Sequence, residues 1–282
     1  MTERQDAPRR PRPRRAWGLG AALTSVLFLF PLLAMLSGSF REPGLAPPTG
    51  LELFPPDPTV QGYRDALTLV PLARSVVNSL AVAVGFTLIA VLSASWAGFA
   101  LTQMSQRTRR RVVIFLVVVL MIPVSAVWLA RFAMFRAANL TDTYAPLIAP
   151  ALIGGSPLFV LLYLLAFRRL PSDVLDAARL EGSTPWQTWR NVAMPLVKGT
   201  TAAVALLAFA VSWANFIDPL LYLSTEERFT APLILRSLEQ LGPTNWPVLL
   251  AGAVAVTAPV VVAFGAALRL IVPRRGVGWL GG

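Results

Sequence analysis

Histidine and cysteine are both absent from the 282 residues. Their absence removes the commonest general base, the commonest metal ligand, any thiolate nucleophile and any disulfide. No G-x-x-x-x-G-K-[ST] phosphate loop occurs, so ATP binding and hydrolysis by that route are excluded for this chain. No catalytic residue, metal site or resident cofactor is therefore expected. Two constellations remain that can do chemistry of a non-covalent kind. The first is Trp213, Asn215 and Asp218, inside the otherwise apolar run 200–223. A ring face, an amide and a carboxylate at membrane depth can replace water around a polar solute, and ionisable groups in such runs are costly and functional by default. The three cannot share one helical face, although Asn215 with Asp218, and Trp213 with Phe216, are i,i+3 neighbours. The same residues equally serve as polar glue between helices, with Trp213 as packing. The second constellation is the mixed-charge island 168–198, which carries Asp173, Asp176, Glu181 and Gly182 between apolar stretches.

The elements that position these residues are apolar helices. Apolar residues make up 55% of the chain and charged residues 14%, against about 25% charged in soluble domains. Six runs are long enough to cross about 30 Å of hydrocarbon: 17–36, 76–101, 112–130, 145–167, 200–223 and 248–268. The expected fold class is an all-α membrane protein with six transmembrane helices. Residues 1–16 read as a basic tail, 17–272 as one membrane domain and 273–282 as a C-terminal tail. The first run exceeds a secretory h-region and is expected to be a retained anchor. Prolines at 31, 123, 150, 157, 219 and 259 are tolerated where neighbouring helices satisfy the freed backbone groups. Gly154-Gly155-Ser156-Pro157 makes the fourth run the one to break.

Lysine and arginine set the orientation. Eighteen of the 25 fall in the tail, in 102–111, in 168–198 and at the C-terminal end, against seven in the alternate loops. The positive-inside rule places both termini and the island in the cytoplasm. The net charge of +11 thereby becomes a topological signal, attracted to anionic lipid headgroups, and no nucleic-acid partner is expected. Lys198 and Arg269 sit where snorkelling suffices, and Arg131, beside Trp128, reads as an interfacial anchor. On the opposite side, 37–75 begins as a proline-rich cap and ends in a short amphipathic helix with Val60, Tyr63, Leu67 and Val70 on its apolar face.

Within the island, Ser172 is the expected N-cap of a helix starting at Asp173, with Asp173 and Asp176 complementing its dipole. Val174, Leu175, Ala177 and Ala178 make a compact apolar face. Gly182 suits a left-handed C-terminal cap. A second helix follows, with Thr184 as N-cap, Pro185 at the first position and Gln187 completing a capping box. Trp186, Trp189 and Ala193 face one way, and Pro195 ends it. On local physics the hairpin either lies on the headgroups with its tryptophans as anchors or docks on another protein.

D-A-A-R-L-E-G-S-T-P-W-Q-T-W-R-N-V-A-M-P-L, from Asp176 to Leu196, resembles the signature loop of permease subunits of bacterial ATP-binding-cassette importers. Asp176, Ala177, Ala178, Gly182 and Pro195 carry the match. Asp176 stands where glutamate is usual and Glu181 where aspartate is common, so the charge is kept at both. Arg74 to Leu80, Met121-Ile122-Pro123, Leu140 to Tyr144 and Ser212 to Phe216 are similar to the carbohydrate-uptake branch, the maltose-type inner permease. The resemblance runs from about Tyr63 to the C-terminus. The sequence departs from the family at Trp213-Ala214-Asn215-Phe216, where an acidic residue normally follows the asparagine, and at the C-terminal Gly276 to Gly282. The resemblance implies a type I importer permease architecture in the bacterial cytoplasmic membrane, with 173–190 as a coupling-helix hairpin. It implies a second, different permease chain, an ATP-binding-cassette ATPase dimer that binds the ATP, and an extracytoplasmic solute-binding protein. The solute is expected to be a sugar or related polar molecule. Glycerol phosphate, an amino acid or an osmolyte is the nearer alternative, and a signalling or enzyme subunit the more distant one.

Overall fold

Residues 14–47 and 54–271 are described by the computed structural model, and every regular element among them is helical. The expectations for the start of the basic tail and for residues 272–282 lie outside the described residues. The helices are α1 (Arg14–Gly38), α2 (Gln61–Leu69), α3 (Leu72–Gln103), α4 (Gln106–Met121), α5 (Trp128–Ala137), α6 (Ala145–Ile148), α7 (Pro157–Phe167), α8 (Ser172–Leu180), α9 (Pro185–Gln187), α10 (Met194–Leu196), α11 (Lys198–Trp213), α12 (Ile217–Tyr222), α13 (Ala231–Glu239) and α14 (Trp246–Ile271). Leu72–Gln103, Ala145–Phe167 and Pro243–Ala266 are each long and apolar enough to cross a membrane, and two bent pairs bring the number to as many as five. The apolar stretch Leu23–Gly38 of α1 is shorter.

α3 is the centre of the bundle. Its small and aromatic residues Ala83, Phe86, Ala90 and Ala94 recur at helical spacing and are buried, giving a face that α7 and α11 approach closely. At Gly98 the approach is closest: a Cβ there would lie 2.7 Å from Tyr163 Cβ and 3.0 Å from the Leu164 nitrogen. On the opposite face Val77, Leu80, Val84, Leu88 and Leu92 stay exposed. A stripe of large aliphatic side chains turned outward is stable where the solvent is hydrocarbon.

Three of the expected spans are not continuous helices. The run 112–130 was expected to continue through Pro123, but Gln106–Met121 and Val124–Ala137 meet at 90°. Pro123 has no N–H to donate and pushes the preceding Ile122 into an extended conformation (ψ 120°), which stops α4. The run 145–167 breaks where glycine and proline cluster. After α6 comes a 3₁₀ turn, Ala149–Ile153, then Gly154 and Gly155 with φ +96° and +69°, then α7 capped by the Ser156 hydroxyl. A carbonyl at this break, Ala151 O, accepts from Ser93 Oγ at 2.5 Å, so α3 supplies a donor at the interruption. The run 200–223 divides into α11 and α12 around residues 214–216. There the Asn215 side-chain oxygen Oδ1 accepts from the Asp218 N–H at 3.2 Å, and Pro219 lacks the donor a continuous helix needs.

α2 packs on α14 only partly through the residues expected of it. Gly62, Ala66 and Val70 are buried, whereas Val60 and Leu67 are exposed. A Cβ on Gly62 would lie 3.2 Å from the Pro247 carbonyl oxygen, so small residues win the inner face by allowing backbone contact. Tyr63 stays in the interface, its hydroxyl 2.7 Å from Ser39 Oγ. The proline-rich cap is fastened to the start of α14, where Trp246 Nε1 donates to Leu45 O at 3.1 Å.

Candidate functional site: an exposed hairpin and a polar cavity

The island folds as two helices around Gly182. α8 begins at Ser172, one residue before the expected start, with Pro171 in the cap position. The Ser172 hydroxyl bonds the Asp173 carboxylate instead of a backbone N–H. Asp173 lies in the first turn. Gly182 takes φ +80°, and Ser183 N donates to Ala178 O at 3.0 Å, the reversal that a left-handed glycine permits. A Cβ at Gly182 would meet nothing within 4 Å; glycine is required there by the backbone, not by packing. The expected capping box is present, with Thr184 Oγ1 accepting from Gln187 N and Gln187 Oε1 accepting from Thr184 N. Pro195 does not end the second helix. A π turn, Thr188–Ala193, precedes it and α10 carries the chain past it to Leu196, after which the direction changes by 87° into α11.

Of the residues singled out in the island, Ala178 is buried, while Asp173, Asp176, Ala177, Glu181, Gly182 and Pro195 face solvent. Leu180 is 90% exposed and Trp186 50%. Of the expected apolar face, Leu175 and Ala178 pack inward, whereas Val174 and Ala177 do not. Asp176 pairs with Arg179 at 2.9 Å, and Arg179 also bonds Gln103 at the end of α3. Trp186 and Trp189 do not splay apart. Their rings lie 4.7 Å from each other and each 5.4 Å from Trp96 of α3. The hairpin therefore rides on α3, and its tip projects away from the bundle. Trp96 is a partner that sequence reasoning missed, because nothing local marks a tryptophan within an apolar helix as the seat of a distant loop.

At the other end of α11, roughly 24 Å away at about 1.5 Å per residue, the breaks in the spans surround a cavity of about 410 Å³. Phe86, Trp128, Arg131, Asn215, Phe216 and Asp218 are among its walls. Arg131 is not an interfacial anchor. Its two terminal nitrogens lie 3.5 Å from the two Asp218 oxygens, and Nη2 also donates to Pro146 O at 3.4 Å. Asn215 Nδ2 donates to Asp218 Oδ2 at 2.9 Å. Asp218 is buried and Arg131 half-buried. Asn215 and Asp218 thus meet as expected from their spacing, and the 90° turn after α4 is what brings Arg131 to them. Trp213 is not among the cavity walls. It is buried in a separate cluster with Ala66, Leu72 and Ile234, its ring stacked 5.5 Å from Phe209.

A third polar cluster ties the loop before α6 to the end of α12. Asp142, with φ +55°, donates its N–H to Tyr222 O at 2.7 Å. Its carboxylate accepts from Thr225 Oγ1 at 2.6 Å, Ser224 N at 3.0 Å, Thr225 N at 3.1 Å and Arg228 at 3.0 Å. The Thr225 hydroxyl and the two backbone N–H groups, aided by Arg228, hold the Asp142 carboxyl down at about 2.

Interrupted helices around a cavity that holds a buried ion pair, joined to a solvent-facing hairpin at the far end, are the arrangement expected of a multi-pass membrane transport subunit. Residues 87–277 match the binding-protein-dependent transport system inner membrane component family, and the chain belongs to it. The arabinooligosaccharides transport system permease protein AraQ of Halalkalibacterium halodurans is 29% identical over 261 residues, covering 91% of this chain and 93% of the relative. The trehalose transport system permease protein SugB of Mycobacterium tuberculosis is 26% identical over 246 residues, covering 86% and 87%. In three dimensions a chain of a bacterial ABC transporter involved in the import of the acidic polysaccharide alginate superimposes with a TM-score of 0.77 at 19% identity, over 94% of this chain and all of that one.

Proposed function

We propose that this chain is one permease subunit of an ATP-driven importer of a sugar. It forms half of the translocation pathway and couples to a separate ATPase through residues 173–190. The observation that carries the reading is the hairpin itself, seated on α3 by Trp96 and Arg179 with Asp173, Asp176, Ala177, Glu181 and Gly182 exposed. The relatives named for arabinooligosaccharide and trehalose transport support the sugar. Six spans are α1, α3, the bent α4–α5 pair, α6–α7, the α11–α12 pair and α14, with both termini and the hairpin on the cytoplasmic side, where the positive charge lies. The partners are a second, different permease chain, an ATP-binding-cassette ATPase dimer and an extracytoplasmic solute-binding protein. When the ATPase dimer closes, the hairpin moves and the spans rock as rigid bodies about the pathway. Co-purification tests this. The wild-type chain retains the ATPase, and Gly182→Pro, which the φ of +80° cannot accommodate, reduces retention tenfold or more. Equal retention by the two proteins overturns the coupling assignment.

A further inference from the structure

The geometry points to Arg131 and Asp218 as a charge-balanced solute subsite that sets specificity for uncharged polyhydroxyl solutes over acidic ones, an inference that rests on the sugar-importer reading. Three observations converge. The pair lies on the wall of a cavity of about 410 Å³, a volume within the usual range for small-molecule sites. Both contacts between guanidinium and carboxylate are 3.5 Å, too long for tight charge-assisted bonds. The guanidinium offers only donors and the carboxylate only acceptors, so a solute hydroxyl can accept from one and donate to the other. Asn215 Nδ2 pins Asp218 at 2.9 Å through Oδ2, the oxygen that also faces Arg131 Nη2, and Pro146 O receives Arg131 Nη2, which fixes the pair's orientation. Trp128 and Phe86 on the same cavity add apolar ring surface.

The balance of charge gives the specificity. Arg131 and Asp218 are the ionisable groups on the cavity wall, so its net charge is zero. A uronate entering it finds its counter-ion already neutralised and meets the Asp218 carboxylate at short range. An uncharged sugar pays no such penalty.

The complete transporter, reconstituted in liposomes with its partner permease, ATPase and binding protein, tests this by uptake of labelled arabinotriose, trehalose and lactose, with digalacturonate as competitor. Asp218→Asn leaves Arg131 uncompensated. Neutral-sugar uptake is expected to fall at least tenfold and to become sensitive to digalacturonate. Arg131→Gln leaves Asp218 uncompensated; uptake falls similarly with no sensitivity to the acid. The double variant Arg131→Gln/Asp218→Asn restores neutrality and is expected to recover uptake to within about threefold of wild type. ATPase retention stays level in all three, and although each single variant melts lower because it leaves a charge uncompensated, the double variant melts with the wild type, as it would not if the pair were only a structural brace. A double variant as slow as the singles, or digalacturonate inhibiting all four proteins alike, overturns the inference. Wild-type complex that takes up none of the three sugars overturns the sugar reading instead.

Discussion

Asp142 is the residue whose charge state reports most directly on the fold. Four donors face its carboxylate, and its pKa of about 2 lies below the ordinary 3.8. A carboxyl depressed in the folded state contributes stability that is complete above its ordinary pKa and is lost as pH falls through the folded value. The melting temperature of detergent-purified protein is therefore expected to drop between about pH 4 and pH 2, and Asp142→Asn to show a smaller drop over that window from a lower starting point. A wild-type curve parallel to that of Asp142→Asn excludes this account. At this scale the sequence was read unevenly. Thr184, Pro185, Gln187 and Gly182 were legible because capping is decided within a few residues of chain. Arg131 was not, because its partner is 87 positions away and meets it only after the chain turns at Pro123. The ring of Trp213, whose type and position suit a platform for solute, is surrounded instead by a packed core.

Among the elements, α3 and α7 depend on Gly98 for their spacing. A side chain there collides with Tyr163 Cβ and the backbone of Leu164, neither of which is a flexible end. Gly98→Val is expected to destabilise the bundle by about 1–3 kcal/mol through overpacking, seen as a lower melting temperature in detergent and a lower yield of folded protein. An unchanged melting temperature contradicts the close approach. The apolar runs announced the long helices, since about 20 apolar residues admit few other structures. Their straightness was less legible. Gly154-Gly155 advertised one break, but Pro123 and Pro219 resemble Pro31 and Pro259, which lie inside continuous helices. The breaks are completed in different ways: at Gly154-Gly155 the Ser93 hydroxyl of α3 donates to a carbonyl, whereas at residues 214–216 the side-chain oxygen of Asn215 accepts a backbone N–H three residues on.

Over the whole molecule, hairpin and cavity stand at opposite ends of α11, so an event at one must be carried by the bundle to the other. The Trp96, Trp186 and Trp189 rings join the hairpin to α3, and aromatic pairs of this kind contribute about 0.5–1.5 kcal/mol each beyond their buried area. Trp96→Ala is expected to leave ATPase retention within about twofold while lowering the sugar transported per ATP hydrolysed severalfold in liposomes. Retention and coupling falling together would instead make Trp96 part of the docking surface. The family was legible from the Asp176 to Leu196 signature, whereas the cavity was not, because its walls come from α3 and three interrupted spans.

The 87° corner at Val197 has a mechanical meaning. One arm, Pro185–Leu196, spans 12 residues and the other, Lys198–Trp213, spans 16, or about 18 Å and 24 Å at about 1.5 Å per residue. A rotation that carried both arms as one rigid piece about that corner would work as a bell crank: the end of the longer arm, beside Asn215, would move at right angles to the shorter arm's end and about 1.3 times as far, with the thrust reduced in the same proportion.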